Sequence, residues 1–316
     1  MTDYGLSFST VVTDGFCETV AFHRPEYSNA FSSILIMLIS CAWWYNSSRL
    51  STTMRMIYTC ILLNGAASFA YHWTLQWGWG LFDSQTMLFA VCLGNYVMYD
   101  DILFRHYVTA SINLDLDPDA ISRSQRKYHN LTSIVAIATI TAFTITTILS
   151  VIPLYSTHFS IVFGGLAVAL FPGAIIDYRY LRNNTSPINT IVSKYFLIGI
   201  ITSCIAPLLW MIPEPLCHVY PNIARYVFWT HSLWHILLCY GLCTIAQTIL
   251  YIHAINEGLK PSIYSCAQSY AQSQSPSCCT DFCKKMRVMY DTLFMIIIVD
   301  SEYNDLMDAQ HFTSLR

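Results

Sequence analysis

Seven stretches of this chain are apolar enough to lie in lipid, at about 30–46, 54–73, 81–98, 131–152, 158–178, 193–212 and 226–252. No other feature constrains the fold as much. A membrane helix needs about 20 mostly apolar residues. Hydrocarbon also demands that every backbone N–H and C=O be satisfied within the chain, which a helix does inside one segment. The expectation is an all-α polytopic membrane protein, a bundle of seven transmembrane helices. Composition agrees: 54% of the residues are hydrophobic and 11% are charged, against about 25% charged in soluble domains. A net charge of −3 gives no reason to expect a nucleic-acid partner.

Loop charges orient the bundle. Fourteen of the sixteen Lys and Arg fall on one side of the seven spans or in the tail, and only Arg24 and Arg225 on the other. The positive-inside rule places the N-terminus outside or in an organelle lumen and the C-terminus in the cytosol. An odd number of spans is consistent with that. The chain then divides into an outer N-terminal segment, 1–29, a membrane domain, 30–252, and a cytosolic tail, 253–316. Residues 1–29 hold Asp3, Asp14, Glu18, Arg24 and Glu26 and no apolar centre, so no cleavable signal peptide is expected. A long cytosolic loop is expected from Asp100 to Asn130. In the tail, Cys278, Cys279 and Cys283 sit beside basic residues, a setting that permits S-palmitoylation or leaves free thiols. The run LFMIIIV, 293–299, is too short to span.

Polar residues inside spans are costly and point to function. Ser68 and His72 lie four apart near the outer end of the second span, on one helix face. Asp83 stands at the outer mouth of the third. His231 and His235, again four apart, lie near the outer end of the seventh. Five polar residues from three spans therefore meet at one depth. Three His from two helices make the ligand set of a catalytic zinc site, with a fourth position left for water. A single His in a membrane helix is more often an interhelical hydrogen bonder; the Ser and Asp at the same depth favour the metal. His23 and His218 are the nearby substitutes.

These residues carry a resemblance to the alkaline ceramidase family, within the wider superfamily of seven-helix membrane hydrolases. SFAYHWTLQWGWGLFD, 68–83, resembles the family's Ser-x-x-x-His and following Asp; FWTHSLWHILLCYG, 228–241, resembles its His-x-x-x-His helix. CIAPLLWMIPEPLC, 204–217, resembles the end of its sixth helix, and DGFCE and EYSNAFSS resemble its N-terminal elements. The resemblance implies zinc on His72, His231 and His235, with Asp83 holding and deprotonating the attacking water and Ser68 beside the metal. The implied reaction is hydrolysis of the amide bond of ceramide to sphingosine and a free fatty acid, in the endoplasmic reticulum or Golgi, with the site toward the lumen. It further implies a calcium site on Asp14, Glu18, Glu26 and Asn29, and a disulfide between Cys17 and Cys217. The chain departs from the pattern at Val20, where the family has Asn, and at Pro213, where it has Asp. Rival readings are an adiponectin-receptor-like protein, whose N-terminus is cytosolic, a glycolipid-remodelling hydrolase, and a non-enzymatic seven-helix receptor or channel. The last leaves the five clustered polar residues without an account.

Overall fold

The computed structural model describes residues 8–11, 16–22, 25–47, 52–109, 117–149, 155–183, 186–256, 261–263 and 297–299. Among these, seven helices have 21 residues or more: α1 Tyr27–Ser47, α2 Thr52–Thr74, α3 Trp77–Phe104, α4 Pro118–Leu149, α5 Tyr155–Asn183, α6 Pro187–Met211 and α7 Trp229–Asn256. Five of them, α1, α3, α4, α6 and α7, are long and apolar enough to cross a membrane by themselves. In α2 the apolar run is interrupted by Asn64, Ser68 and His72, and the charged residues of α5, Asp177, Arg179 and Arg182, are confined to its last turns. Short helices, Cys17–Phe22, Pro213–Val219 and Pro221–Val227, sit before α1 and between α6 and α7.

α7 is the centre of the bundle: 72% of its apolar window is buried, against 6% for α4, which faces outward along Ile134, Ile137, Ile140, Ile145 and Ile148. The core gathers Trp43, Tyr58, Met98, Phe196 and Leu250 around it. α6 and α7 approach closely because each offers a glycine at the crossing. A Cβ on Gly241 would lie 2.9 Å from the Gly199 carbonyl oxygen, and one on Gly199 3.1 Å from that of Gly241. Small residues at such crossings let membrane helices pack backbone to backbone.

Three expected boundaries move. The third span is a 28-residue helix rather than 18 residues, and a π-helical turn, Arg105–Thr109, extends it. The expected loop from Asp100 to Asn130 is largely helical, because α4 begins at Pro118. Asp117 caps that start by accepting the Ala120 N–H at 2.8 Å, and Pro118 occupies the first helical position, where its missing N–H costs nothing. Ser124 and Tyr128 tie the charged extension back to Tyr107 and Asp100. The seventh span starts at Trp229, since Pro221–Val227 forms a helix of its own.

The link from α2 to α3 is two residues, Leu75 and Gln76, with Leu75 at a φ of 54°. Residues 8–11 cover this turn: Val11 bridges Gln76, Trp77 N–H donates to the Thr10 carbonyl, and Gly78 N–H to that of Phe8. A Cβ on Gly78 would stand 2.1 Å from the Phe8 ring. At the other end of the bundle, Pro261–Ile263 pairs antiparallel with Ile297–Val299. The palmitoylation candidates Cys278, Cys279 and Cys283 lie outside the described residues.

Candidate metal centre

Helical spacing does the first part of the assembly. Ser68 and His72 occupy the last two turns of α2, Asp83 the second turn of α3, and His231 and His235 the first two turns of α7. All stand at the end of the bundle that carries the short helices. His72, His231 and His235 are buried, and a ring nitrogen from each falls within 4.8 Å of the others. His218, in the helix Pro213–Val219, does not join that cluster; His23 lies outside the described residues.

The second part is done by what holds each ring. His72 Nδ1 meets Glu26 Oε2 at 2.5 Å, His231 Nδ1 meets Glu214 Oε1 at 3.1 Å, and His235 Nδ1 meets Ser32 Oγ at 2.8 Å. Carboxylates accept, so His72 and His231 carry their hydrogens on Nδ1. Ser32 gives its own hydrogen to the Asn29 carbonyl at 2.7 Å, so it too accepts from the imidazole. Every Nε2 is thereby left as a bare lone pair. His231 Nε2 and His235 Nε2 lie 3.1 Å apart with no hydrogen to share. Two such lone pairs repel unless a cation stands between them, and two nitrogens on a tetrahedral zinc are about 3.3 Å apart. The residues present fit a zinc ion. Partners on the far ring nitrogen are the usual device for fixing tautomer and orientation in a metal site.

Charge supports this. Burial pushes the Glu26 carboxyl up, but the hydrogen bonds it accepts from His72 and Thr19 help to hold the group below its ordinary value. Glu26 is therefore ionised. It also accepts Phe16 N–H at 2.6 Å, Thr19 Oγ at 2.8 Å and Asn29 Nδ2 at 3.3 Å.

Beside the cluster a cavity is lined by Ser68, Asp83, Asn64 and His235, with apolar walls that include Ile36, Ile61, Met87 and Leu238. Asn64 Nδ2 fixes Asp83, donating to its Oδ1 at 2.6 Å and its carbonyl at 2.9 Å. Ser33 Oγ lies 3.0 Å from Ser68 Oγ as donor. Trp210 and Trp234 pack with their ring planes tilted by 31° and centroids 5.3 Å apart, and wall one side of His231.

Glu18, Glu26 and Asn29, expected to hold calcium, each accept hydrogen bonds from within the chain. Glu18 accepts the N–H groups of Ser28 and Asn29 at 2.8 and 3.1 Å, at the start of α1. Burial raises the Glu18 carboxyl, and those two N–H groups offset part of the rise. Asn29 Oδ1 accepts Ser232 Oγ at 2.9 Å. Asp14 lies outside the described residues. The Cys17 and Cys217 sulfurs are bonded to each other.

Sequence reasoning missed Glu214, Ser32 and Ser33. Glu214 had one signal, a lone acid between two prolines next to Pro213, where the resemblance calls for an Asp. Ser32 and Ser33 had none, being small hydroxyls in an apolar run. A model of the protein family described as Ceramidase matches residues 13–278. Comparison with curated proteins finds no match.

Proposed function

The chain belongs to the ceramidase family, and on that premise we propose that it is a zinc-dependent hydrolase of the ceramide amide bond, working inside the membrane. The observation that carries this reading is the set of three buried imidazoles, each held at Nδ1, whose bare Nε2 atoms converge beside a cavity containing a serine and a carboxylate. His72, His231 and His235 would hold the zinc. When bound, zinc supplies Lewis acidity and brings the pKa of a coordinated water from 15.7 to roughly 7.

The remaining work falls to the chain's own side chains. The apolar walls of the cavity accept lipid and exclude bulk water, which strengthens each polar contact inside. Asp83, steadied by Asn64, takes the proton of the attacking water and returns it to the amide nitrogen as the C–N bond breaks. Ser68 O–H donates to the carbonyl oxygen as that oxygen gains negative charge. Ser33 orients Ser68 from behind. The products are sphingosine and a free fatty acid. The loop charges support a site on the outer or lumenal side, and the family resemblance supports a membrane of the endoplasmic reticulum or Golgi. We extend the proposal to calcium: Glu18, Glu26 and Asn29 would supply oxygen donors of the kind calcium prefers, with Asp14, which lies outside the described residues, as the fourth expected from the sequence, and the ion would fasten the outer segment.

Zinc content and sphingosine release from a ceramide panel, measured on detergent-purified protein beside His231→Ala, test the reading. Stoichiometric zinc and activity, both lost in the variant, are expected. Zinc-free protein inactive on every ceramide would overturn the reading, and undiminished activity in His231→Ala would overturn the site.

A further inference from the structure

Phe16 and Cys17 present two consecutive backbone N–H groups to two different carboxylates. Phe16 N–H donates to Glu26 Oε1 at 2.6 Å, and Cys17 N–H to Glu214 Oε2 at 2.8 Å. The opposite oxygen of each carboxylate holds a histidine, Glu26 on His72 and Glu214 on His231. The Phe16 ring fills the space between them, its centroid 5.3 Å from that of His72 and 4.2 Å from that of His231. Cys17 is in turn bonded to Cys217, in the same short helix as Glu214 and three residues beyond it. Cys17, Ala21, Cys217 and Ala224 bury this joint in a small apolar cluster. The disulfide therefore fixes both ends of the Cys17-to-Glu214 hydrogen bond.

We propose that Phe16–Cys17 is a strap that sets metal affinity: tied down by the Cys17–Cys217 disulfide, it positions Glu214, and with it His231, so that oxidation of this pair determines how tightly the three-histidine site holds its ion. Glu214 is a positioning residue, since it acts through His231. The strap rests on the metal reading above. Partners of this kind are worth about 10–100-fold in metal affinity. The outer side of the membrane is where such a bond forms and persists. A disulfide that only stapled the outer segment would stabilise the fold and leave metal affinity untouched.

The test uses the full-length protein in detergent, with zinc affinity measured by competition against a chromophoric chelator. Glu214→Gln and the pair Cys17→Ser with Cys217→Ser are each expected to weaken zinc about tenfold. The triple variant should be no weaker than the disulfide-free one, because both changes act through one carboxylate. Unchanged affinity in the disulfide-free protein, even with a lowered melting temperature, overturns the proposal, and so do losses that multiply in the triple variant. Should the disulfide-free chain fail to fold, the parent is treated with a phosphine reductant while thiols and zinc release are followed. Faster release as the disulfide opens is expected, and unchanged release after complete reduction overturns the proposal. A parent that binds no zinc at all refutes the histidine site itself, a failure distinct from that of the strap.

Discussion

Glu26→Gln keeps the size of the side chain and removes its charge, yet it should do more damage than charge loss alone. The carboxylate faces donors on both oxygens: Phe16 N–H and Thr19 O–H on Oε1, His72 Nδ1–H and Asn29 Nδ2 on Oε2. A glutamine must turn its NH2 toward one of these pairs. Toward Phe16 it meets a backbone N–H that cannot turn away, at an oxygen contact of 2.6 Å. Toward His72 the conflict has an escape, because the imidazole can move its hydrogen to Nε2 and accept at Nδ1. That escape abolishes the lone pair that would bind metal. The first orientation leaves a buried donor unmet, at about 1–3 kcal/mol. The second removes a ligand. A charged hydrogen bond on the far nitrogen is worth about 10–100-fold in metal affinity, or about 1.4–2.7 kcal/mol. Glu26→Gln should therefore lose about 100-fold in zinc affinity, measured by chelator competition. Glu26→Asp, which keeps the charge on a shorter arm, should lose less. Parent-like zinc affinity in Glu26→Gln, or a greater loss in Glu26→Asp, would refute the argument that the Nδ1 partner fixes the His72 tautomer.

Because the Glu26 carboxyl is held below its ordinary value of 4.5, its contribution to stability in metal-free protein is present above that pH and is lost as the pH falls through the folded value. The melting temperature of metal-free parent should drop on acidification below that point, with a shallower drop in Glu26→Gln. At the end of the bundle away from the histidines Arg105 donates to the buried Asp177 and lies over the Tyr180 ring at 4.6 Å. Asp177→Ala strands that charge and should cost about 3–5 kcal/mol in unfolding experiments, most of it recovered in Arg105→Met with Asp177→Leu. A double variant as unstable as the single would show that desolvation does not set the cost. Gly78→Val, whose Cβ overlaps the Phe8 ring, should release residues 8–11 from the α2–α3 turn and speed proteolysis there. An unchanged cleavage rate would mean that the contact does not hold the segment.

Much of the molecule was legible as periodicity. Apolar length marked the helices, since lipid forces each segment to satisfy its own backbone. The i, i+4 spacing put Ser68 above His72 and His231 above His235 without reference to anything distant. Loop charges then brought the two pairs and Asp83 to one end of the bundle. Boundaries were less legible where polar helix continues beyond an apolar run, as in α4 from Pro118, because an amphipathic extension docked on Tyr107 and Asp100 carries no hydrophobic signature of its own. The carboxylates were less legible: Glu26 was expected only as a calcium ligand, and Glu214 was singled out for no role. Nothing local distinguishes an acid in water from one aimed at an imidazole. The sequence alone therefore determined a helical membrane bundle and which histidines could meet. The tertiary structure alone decided that each imidazole is held at Nδ1, because Glu26, Ser32 and Glu214 come from separate segments and converge only once the bundle and its outer strap have closed.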